Sequence, residues 1–204
     1  MIMIGTILLA AGPSARFGGI AKQLLTINGT SLVRLAAETA LAANPAGPNV
    51  VVLGNRRHQI APEFDGLPLT LVDNPGWETG MASSLKTGLA ALHLMQRTLD
   101  AVVVLYADQP LVSPALVSHL MATFTETGQP LIACAAKGKL VVPALFGRQY
   151  WDELLSLTGD KGAHWIIARH RADCLAIPFD GAAVDLNNRT DLDTFVTVRN
   201  GTKN

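Results

Sequence analysis

Cysteine is scarce in this chain of 204 residues, which contains only Cys134 and Cys174. The two are far apart, form no C-x-x-C pair and lie in apolar runs, so we expect buried thiols and neither a disulfide nor a metal site. An excess of charge of one sign is also missing, because 16 acidic residues balance 16 basic ones. A chain with this balance has no overall attraction to nucleic acid or to a membrane surface.

Long hydrophobic runs are absent as well. No apolar stretch approaches the ~20 residues needed to span a bilayer. The apolar N-terminus lacks the basic region of a signal peptide, so we expect a cytoplasmic protein without membrane or nucleic-acid partners. The sequence also has no nucleophile elbow, no zinc-ligand spacing and no suggestion of a Cys–His pair.

What the chain has is a regular alternation of strand-like and helix-like segments. This alternation predicts βαβ crossovers and a mainly parallel sheet with helices on both faces, and the apolar content of 49% suits such a buried sheet. The length favours one α/β domain over residues 1–204. Strand-like runs lie at residues 2–9, 50–53, 69–72, 101–105, 131–135, 141–146 and 174–177, and helical periodicity at residues 31–43, 81–96, 114–127, 149–157 and 164–169.

The first strand-like run leads into a glycine-bearing loop that ends at Lys22 and Gln23. Glycines let backbone N–H groups approach a ligand closely, and converging N–H groups with Arg16 and Lys22 would bind a polyphosphate. The loop has neither the Walker A pattern nor the G-x-G-x-x-G pattern of dinucleotide-binding proteins. We interpret it as a nucleoside triphosphate site; the alternative is an ordinary turn with solvated Arg and Lys side chains.

A carboxylate stands at the end of another buried strand-like run, in the sequence Y-A-D-Q-P that includes Asp108. Pro110 cannot continue the strand, so the chain turns away and leaves Asp108 at its tip. Ligands of open α/β sheets collect at the carboxyl ends of the strands, where one carboxylate facing a triphosphate suits Mg²⁺. The alternative is a turn-forming aspartate.

These motifs resemble those of the MobA/MocA-like nucleotidyltransferases, which include the molybdenum cofactor guanylyl- and cytidylyltransferases. The loop is similar to the family signature L-A-A-G-x-S-x-R-x-G-x-x-K, with one extra residue between Gly18 and Lys22, and Asp108 falls in an [AG]-D-x-P motif. The resemblance implies a Rossmann-like three-layer sandwich of the nucleotide-diphospho-sugar transferase type, with a mixed sheet. It also implies a nucleotide-binding part, about residues 1–110, and an acceptor-binding part, about residues 111–204.

A family pattern N-x-x-x-x-x-G-M-x-x-S-[LV] is matched by Asn74, Gly80, Met81 and Ser84, which the resemblance places beside the nucleotide base. The segment G-D-K-G-A-H at residues 159–164 is similar to G-D-x-G-A-R on the acceptor side of the family. It implies acceptor-binding roles for Asp160, Gly162 and His164, with histidine in place of arginine.

Near the C-terminus, residues 185–192 read D-L-N-N-R-T-D-L and are similar to the family pattern D-I-[DN]-T-P-x-D-L, with Arg189 in place of proline. The resemblance puts Asn187 at the second metal-ligand position; the alternative for Asp185 to Asn187 is a helix cap and turn.

The family resemblance implies Lys22, Arg16 and Asp108 as catalytic residues, with Mg²⁺ or Mn²⁺ held by Asp108 and Asn187. It implies attack by an acceptor phosphate on the α-phosphorus of a nucleoside triphosphate. The nucleotide-binding residues would be Leu9, Ala10, Ala11, Gly12, Ser14, Arg16, Lys22, Asn74, Gly80, Met81, Ser84 and Asp108.

The motifs are most similar to the cytidylyltransferase branch, so we expect transfer of CMP from CTP to the terminal phosphate of molybdopterin. A molybdoenzyme or its chaperone would then be a protein partner. A GTP donor, a sugar-phosphate or polyol-phosphate acceptor, and a non-catalytic cofactor carrier remain open alternatives.

Overall fold

A mixed β-sheet of seven strands organises the chain in the computed structural model, which describes residues 2–13, 21–184 and 186. Its spatial order is β5-β4-β1-β6-β8-β7-β9, with only β8 antiparallel to its neighbours, and β2 and β3 form a separate two-stranded ribbon. The strands are β1 (Ile4–Leu9), β2 (Thr26–Ile27), β3 (Thr30–Ser31), β4 (Asn49–Leu53), β5 (Thr70–Asp73), β6 (Ala101–Tyr106), β7 (Leu131–Ala136), β8 (Lys139–Gly147) and β9 (Leu175–Pro178).

The helices follow the segments with helical periodicity, and local signals fix several of their ends. Ser31 and Ser113 cap two helices by accepting bonds from the amides of Arg34 and Leu116, each at 3.3 Å, as expected of N-cap serines. The helices are α1 (Leu32–Ala43), α2 (Arg57–Ile60), α3 (Met81–Met95), α4 (Pro114–Thr127), α5 (Trp151–Ser156) and α6 (Ala163–Arg169). The short α2 and the β2–β3 ribbon were not predicted.

Side chains of successive strand residues enter two separate cores, one on each face of the sheet. On β6, Val103 and Leu105 join the core covered by α1 and α4, while Val102 and Val104 join the core covered by α3, α5 and α6. This alternation is the period of two of a strand buried on both faces. The predicted α/β class and three-layer architecture are confirmed.

One sheet passes through both halves of the chain, because β6 pairs directly with β8. The division near residue 110 into a nucleotide-binding and an acceptor-binding part stays a prediction. None of the described helices combines the length and the apolar character required to cross a bilayer.

Both cysteines are free thiols, Cys134 buried and Cys174 half-buried. Burial raises the pKa of the Cys134 thiol to about 12 and that of the Cys174 thiol to about 11, since a thiolate is poorly solvated in an apolar environment.

Candidate functional site

A cavity of about 410 Å³ opens at the carboxyl ends of β1 and β6. The two strands are paired in parallel, with Leu9 opposite Tyr106, so the loop after β1 and the turn after β6 start side by side. The predicted site residues that line this cavity are Leu9, Ala11, Gly12, Lys22, Gly80, Met81, Ser84, Asp108 and Asp160.

Lys22 and Asp108 form an ion pair in the wall of the cavity, with Lys22 Nζ in contact with Asp108 Oδ2. Their side chains are 22% and 15% exposed, so the pair is neither sealed in the core nor fully hydrated. A charge-assisted contact between these groups is strong in such a setting. The two residues predicted to hold the triphosphate and the metal therefore meet.

The shape of the loop after β1 is held by Gln23, a residue that sequence reasoning did not assign to the site. Its side-chain Nε2 donates to the carbonyl oxygens of Ala10 at 3.1 Å and Gly12 at 3.0 Å, and the residue is only 3% exposed. The Ala11 carbonyl accepts a bond from the Asn55 amide at 3.0 Å. Three successive carbonyls at the start of the loop are thus bonded within the protein, so this first part of the loop is pre-organised.

Asn74 is buried beneath the turn that leads into α3. Its Nδ2 donates to the hydroxyls of Ser83 and Ser84, both at 2.9 Å, and its Oδ1 accepts from the Gly76 amide at 3.0 Å. Ser84 lines the cavity and Asn74 does not. Asn74 therefore organises this turn from below.

The predicted acceptor segment packs against the predicted base segment through backbone contacts. Gly80 has a φ of +109°, and a Cβ there would lie 2.3 Å from the Gly159 carbonyl carbon and oxygen. The Ala82 amide donates to that same carbonyl at 3.0 Å. A Cβ on Gly162 would lie 2.2 Å from Met81 Sδ, which can move aside, whereas the atoms met at Gly80 are backbone. Only at Gly80 does the approach therefore require glycine.

The geometry brings a basic loop, a strand-tip carboxylate and an acceptor segment to one cavity. Residues 6–174 match the family model described as the MobA-like NTP transferase domain. The chain belongs to this family. The family resemblance that the sequence motifs predicted is therefore confirmed.

Two relatives of known sequence or structure illustrate the MobA-like assignment. The chain is 37% identical over 117 residues to the nicotine blue oxidoreductase of Paenarthrobacter nicotinovorans. That match covers 57% of this chain and about half, 55%, of the relative's own length. Rv0371c of Mycobacterium tuberculosis superposes with a TM-score of 0.79 at 25% identity, covering 96% of this chain and 98% of that one.

A third comparison shows the fold alone. It is the molybdopterin-guanine dinucleotide biosynthesis protein A of Archaeoglobus fulgidus, with a TM-score of 0.68 at 16% identity, covering 97% of this chain and 99% of that one.

On the acceptor side of the MobA-like site, Asp160 lines the cavity, whereas His164 lies on the exposed surface of α6. Partial burial lowers the pKa of the His164 imidazole below its usual value, which favours the neutral ring at pH 7. Beside it, the half-exposed Trp165 has its ring 5.0 Å from Lys161 Nζ. Where the family pattern has arginine, this chain therefore has a neutral ring next to a cation–aromatic pair.

Three predicted site residues, Ser14, Arg16 and Asn187, lie outside the described residues. The described chain next to Asn187 does reach the site, because the Leu186 amide donates to the backbone carbonyl of Asp108 at 3.0 Å. Among the residues that the structure describes, no three His, Cys, Asp or Glu side chains cluster as a metal site.

Three further cavity residues were missed by sequence reasoning or left without a role: Trp77, Glu78 and Tyr106. Trp77 and Glu78 belong to a 3₁₀ turn before α3, and the Tyr106 hydroxyl donates to Met81 Sδ at 3.3 Å. The signal available for Tyr106 was its place as the last residue of β6, two residues before Asp108.

Proposed function

We propose that this nucleotidyltransferase moves CMP from CTP to the terminal phosphate of molybdopterin and releases pyrophosphate in an Mg²⁺-dependent reaction. The observation that supports this most is the meeting of Lys22 and Asp108 in one cavity at the tips of β1 and β6. A lysine and a carboxylate in this position serve the two needs of the donor, a cation for the phosphates and an oxygen ligand for a metal.

The donor triphosphate would lie against the loop after β1. Lys22 would leave Asp108 and bind phosphate oxygens, and Arg16 would add a second cation from the same loop. Because Gln23 already fixes the carbonyls of Ala10 and Gly12, this start of the loop would need little ordering on nucleotide binding. Ser84 and the turn above Asn74 would face the base.

The residues at the β6 tip fit a hard divalent cation. The Asp108 carboxylate faces the cavity and already has a cationic partner in Lys22, and Mg²⁺ commonly takes one or two protein oxygens and completes its shell with phosphates and water. Asn187 would supply the second protein oxygen. When bound, the ion would neutralise phosphate charge; the related Rv0371c has been crystallised as a manganese complex, at 23% identity.

The transfer step needs no dedicated base, because an acceptor phosphate is already ionised at neutral pH. Its oxygen would form a bond to the α-phosphorus of CTP while the bond from that phosphorus to the bridging oxygen of the β-phosphate breaks. Pyrophosphate would leave with the electron pair. Lys22 would stabilise the charge that develops on the phosphates, and the segment around Asp160 would align the acceptor.

The test is incubation of the protein with Mg²⁺, molybdopterin and each of CTP, GTP, ATP and UTP. We expect pyrophosphate and a cytidine dinucleotide product with CTP, and loss of both with Asp108→Ala. If GTP is the one nucleotide turned over, the donor is GTP and not CTP. If sugar or polyol phosphates are turned over, the acceptor is one of these and not molybdopterin. Binding without pyrophosphate release from any of these mixtures would favour the carrier and reject the proposal.

A reductase is the second candidate, because the relative at 37% identity is named nicotine blue oxidoreductase. Loss of the colour of nicotine blue with NADH or NADPH, in the absence of nucleoside triphosphate, would favour that activity. For the transfer from CTP, we also propose a cytoplasmic location and a molybdoenzyme or its chaperone as recipient of the product.

A further inference from the structure

Gln109 follows Asp108 directly and is one of the few buried polar residues, at 6% exposure. Its Nε2 donates to the Val142 carbonyl at 2.7 Å and to the Ala182 carbonyl at 2.9 Å. One side-chain amide thus joins three separate parts of the chain: the end of β6, β8 and the 3₁₀ turn at Asp180–Ala183.

The Val142 carbonyl needs such a donor because of an irregularity in the sheet. The ladder between β6 and β8 ends at Val104 opposite Ala144, and the β7–β8 ladder is interrupted by a bulge between Ala133 and Cys134. Val142 therefore lies outside both registers. A buried carbonyl without a partner is costly, and Gln109 supplies the missing donor.

The second bond of Gln109 holds the 3₁₀ turn at Asp180–Ala183 next to the β6 tip. The turn that ends at Ala183 is held through the Ala182 carbonyl, and three residues later the Leu186 amide bonds the Asp108 carbonyl at 3.0 Å. The next residue is Asn187. Two bonds, one from the Gln109 side chain to Ala182 and one from the Leu186 amide to Asp108, hold Ala182 and Leu186 against the β6 tip.

We propose that Gln109 is a positioning residue for the metal ion, holding Asp108 at the β6 tip in register with Val142 of β8 and with Ala182. This inference rests on the proposed function, since it needs a divalent cation at Asp108. Gln109 would touch neither substrate nor metal. Its effect would pass through the two carbonyls that its amide holds.

The experiment is titration of Mn²⁺ into the protein with the non-reacting donor analogue α,β-methylene-CTP, with bound Mn²⁺ followed by electron paramagnetic resonance. Gln109→Met keeps the length of the side chain and removes both donors. We expect weaker Mn²⁺ binding by about tenfold or more, as for other supporting residues of metal sites. Binding of the analogue without metal, which depends on the loop after β1, should stay within about twofold, within the usual non-additivity of distant sites.

The matched control is Trp151→Phe. Trp151 Nε1 and Gln109 Oε1 are the buried polar side-chain atoms without a hydrogen-bond partner in the described part of the chain, and Trp151 lies on α5, away from the cavity lining. This variant should lower the melting temperature and leave Mn²⁺ binding unchanged. If Gln109→Met does not fold, Gln109→Asn tests the same two bonds, because it keeps a neutral amide but is one methylene too short to reach both carbonyls.

The outcomes separate the inference from the proposed function. If Asp108→Ala loses Mn²⁺ but the folded Gln109 variant binds it as tightly as the wild type, the positioning role is refuted and the metal site stands. An equal loss in Trp151→Phe would also refute it, since general destabilisation would then explain the effect. If Asp108→Ala binds Mn²⁺ like the wild type, both the proposed metal site and the role of Gln109 are wrong.

Discussion

Replacing Gly80 with alanine tests the contact that joins the acceptor segment to the start of α3. The backbone at Gly80 has φ +109° and ψ 177°, a region that is essentially restricted to glycine and costs other residues about 1–3 kcal/mol. The new Cβ would also lie 2.3 Å from the Gly159 carbonyl group and 2.7 Å from the Asp160 amide nitrogen. These are backbone atoms, so no rotamer change relieves the overlap.

The segment at residues 159–160 must therefore move away from α3. That movement breaks the bond from the Ala82 amide to Gly159, which contributes about 0.5–1.5 kcal/mol. Together the strain and the lost bond predict a decrease of about 1.5–4.5 kcal/mol in the free energy of unfolding. Urea denaturation measures the decrease, and hydrogen exchange should show the Ala82 amide losing its protection.

Gly128→Ala is the matched control. Gly128 also has a positive φ, +67°, but a Cβ there would meet nothing within 4 Å, so only the left-handed strain of about 1–2 kcal/mol applies. A loss in Gly80→Ala no larger than in Gly128→Ala, with the Ala82 amide still protected, would refute the reasoning.

Four further predictions concern single side chains. Lys22→Met should lower kcat/KM for CTP by about 100-fold or more, because a preorganised charge is lost. Initial rates of pyrophosphate release measure this decrease, and unchanged rates would mean that Lys22 does not belong to the donor site. Gln23→Leu removes two bonds to loop carbonyls, each contributing about 0.5–1.5 kcal/mol, so calorimetry should find CTP bound about tenfold more weakly. Leu85→Ala, at a fully buried position, should decrease the free energy of unfolding by about 2–5 kcal/mol, with activity per folded molecule preserved. Burial raises the pKa of the Cys134 thiol to about 12. Iodoacetamide at pH 8 should therefore alkylate Cys134 only after the protein is unfolded, and mass spectrometry measures the alkylation.

The Cys134 pKa also has a consequence for stability at high pH. Burial raises the pKa of this thiol from its ordinary value of 9.0 to about 12 in the folded state, so the folded protein holds this proton more tightly than the unfolded chain. The contribution is therefore fully present below about pH 9 and declines as the pH rises toward 12. Urea midpoints measured between pH 8 and 11 should fall more steeply for the wild type than for Cys134→Ala, and equal slopes would contradict this.

The seven strands of the main sheet were predictable because each is an apolar run between glycine, proline or polar breaks. The reversed direction of β8 was not predicted, although a signal existed. Lys137 and Gly138 join β7 to β8 and both have positive φ, 48° and 78°. Two residues with such angles form a tight hairpin, which connects only antiparallel strands.

The meeting of Lys22 and Asp108 was predictable because both follow neighbouring parallel strands at the same edge of the sheet. Gln23 and Gln109 were not, because their partners are backbone carbonyls, which leave no pattern of side chains in the sequence. Both glutamines lie next to a charged site residue and are buried, yet their neighbours in the sequence do not show which carbonyls lack donors. That information is a property of the folded sheet, through its bulge and its loop.

In the proposed reaction, the ion pair between Lys22 and Asp108 would set the order in which metal and donor bind. Free metal would have to displace the ammonium from Asp108 with no phosphate present to receive it. A metal-free triphosphate would draw Lys22 away and leave the carboxylate facing the phosphates, where like charges repel. A preformed chelate of metal and nucleotide exchanges both partners in one event, so we expect the initial rate to follow the concentration of that chelate and to fall when free triphosphate exceeds the metal.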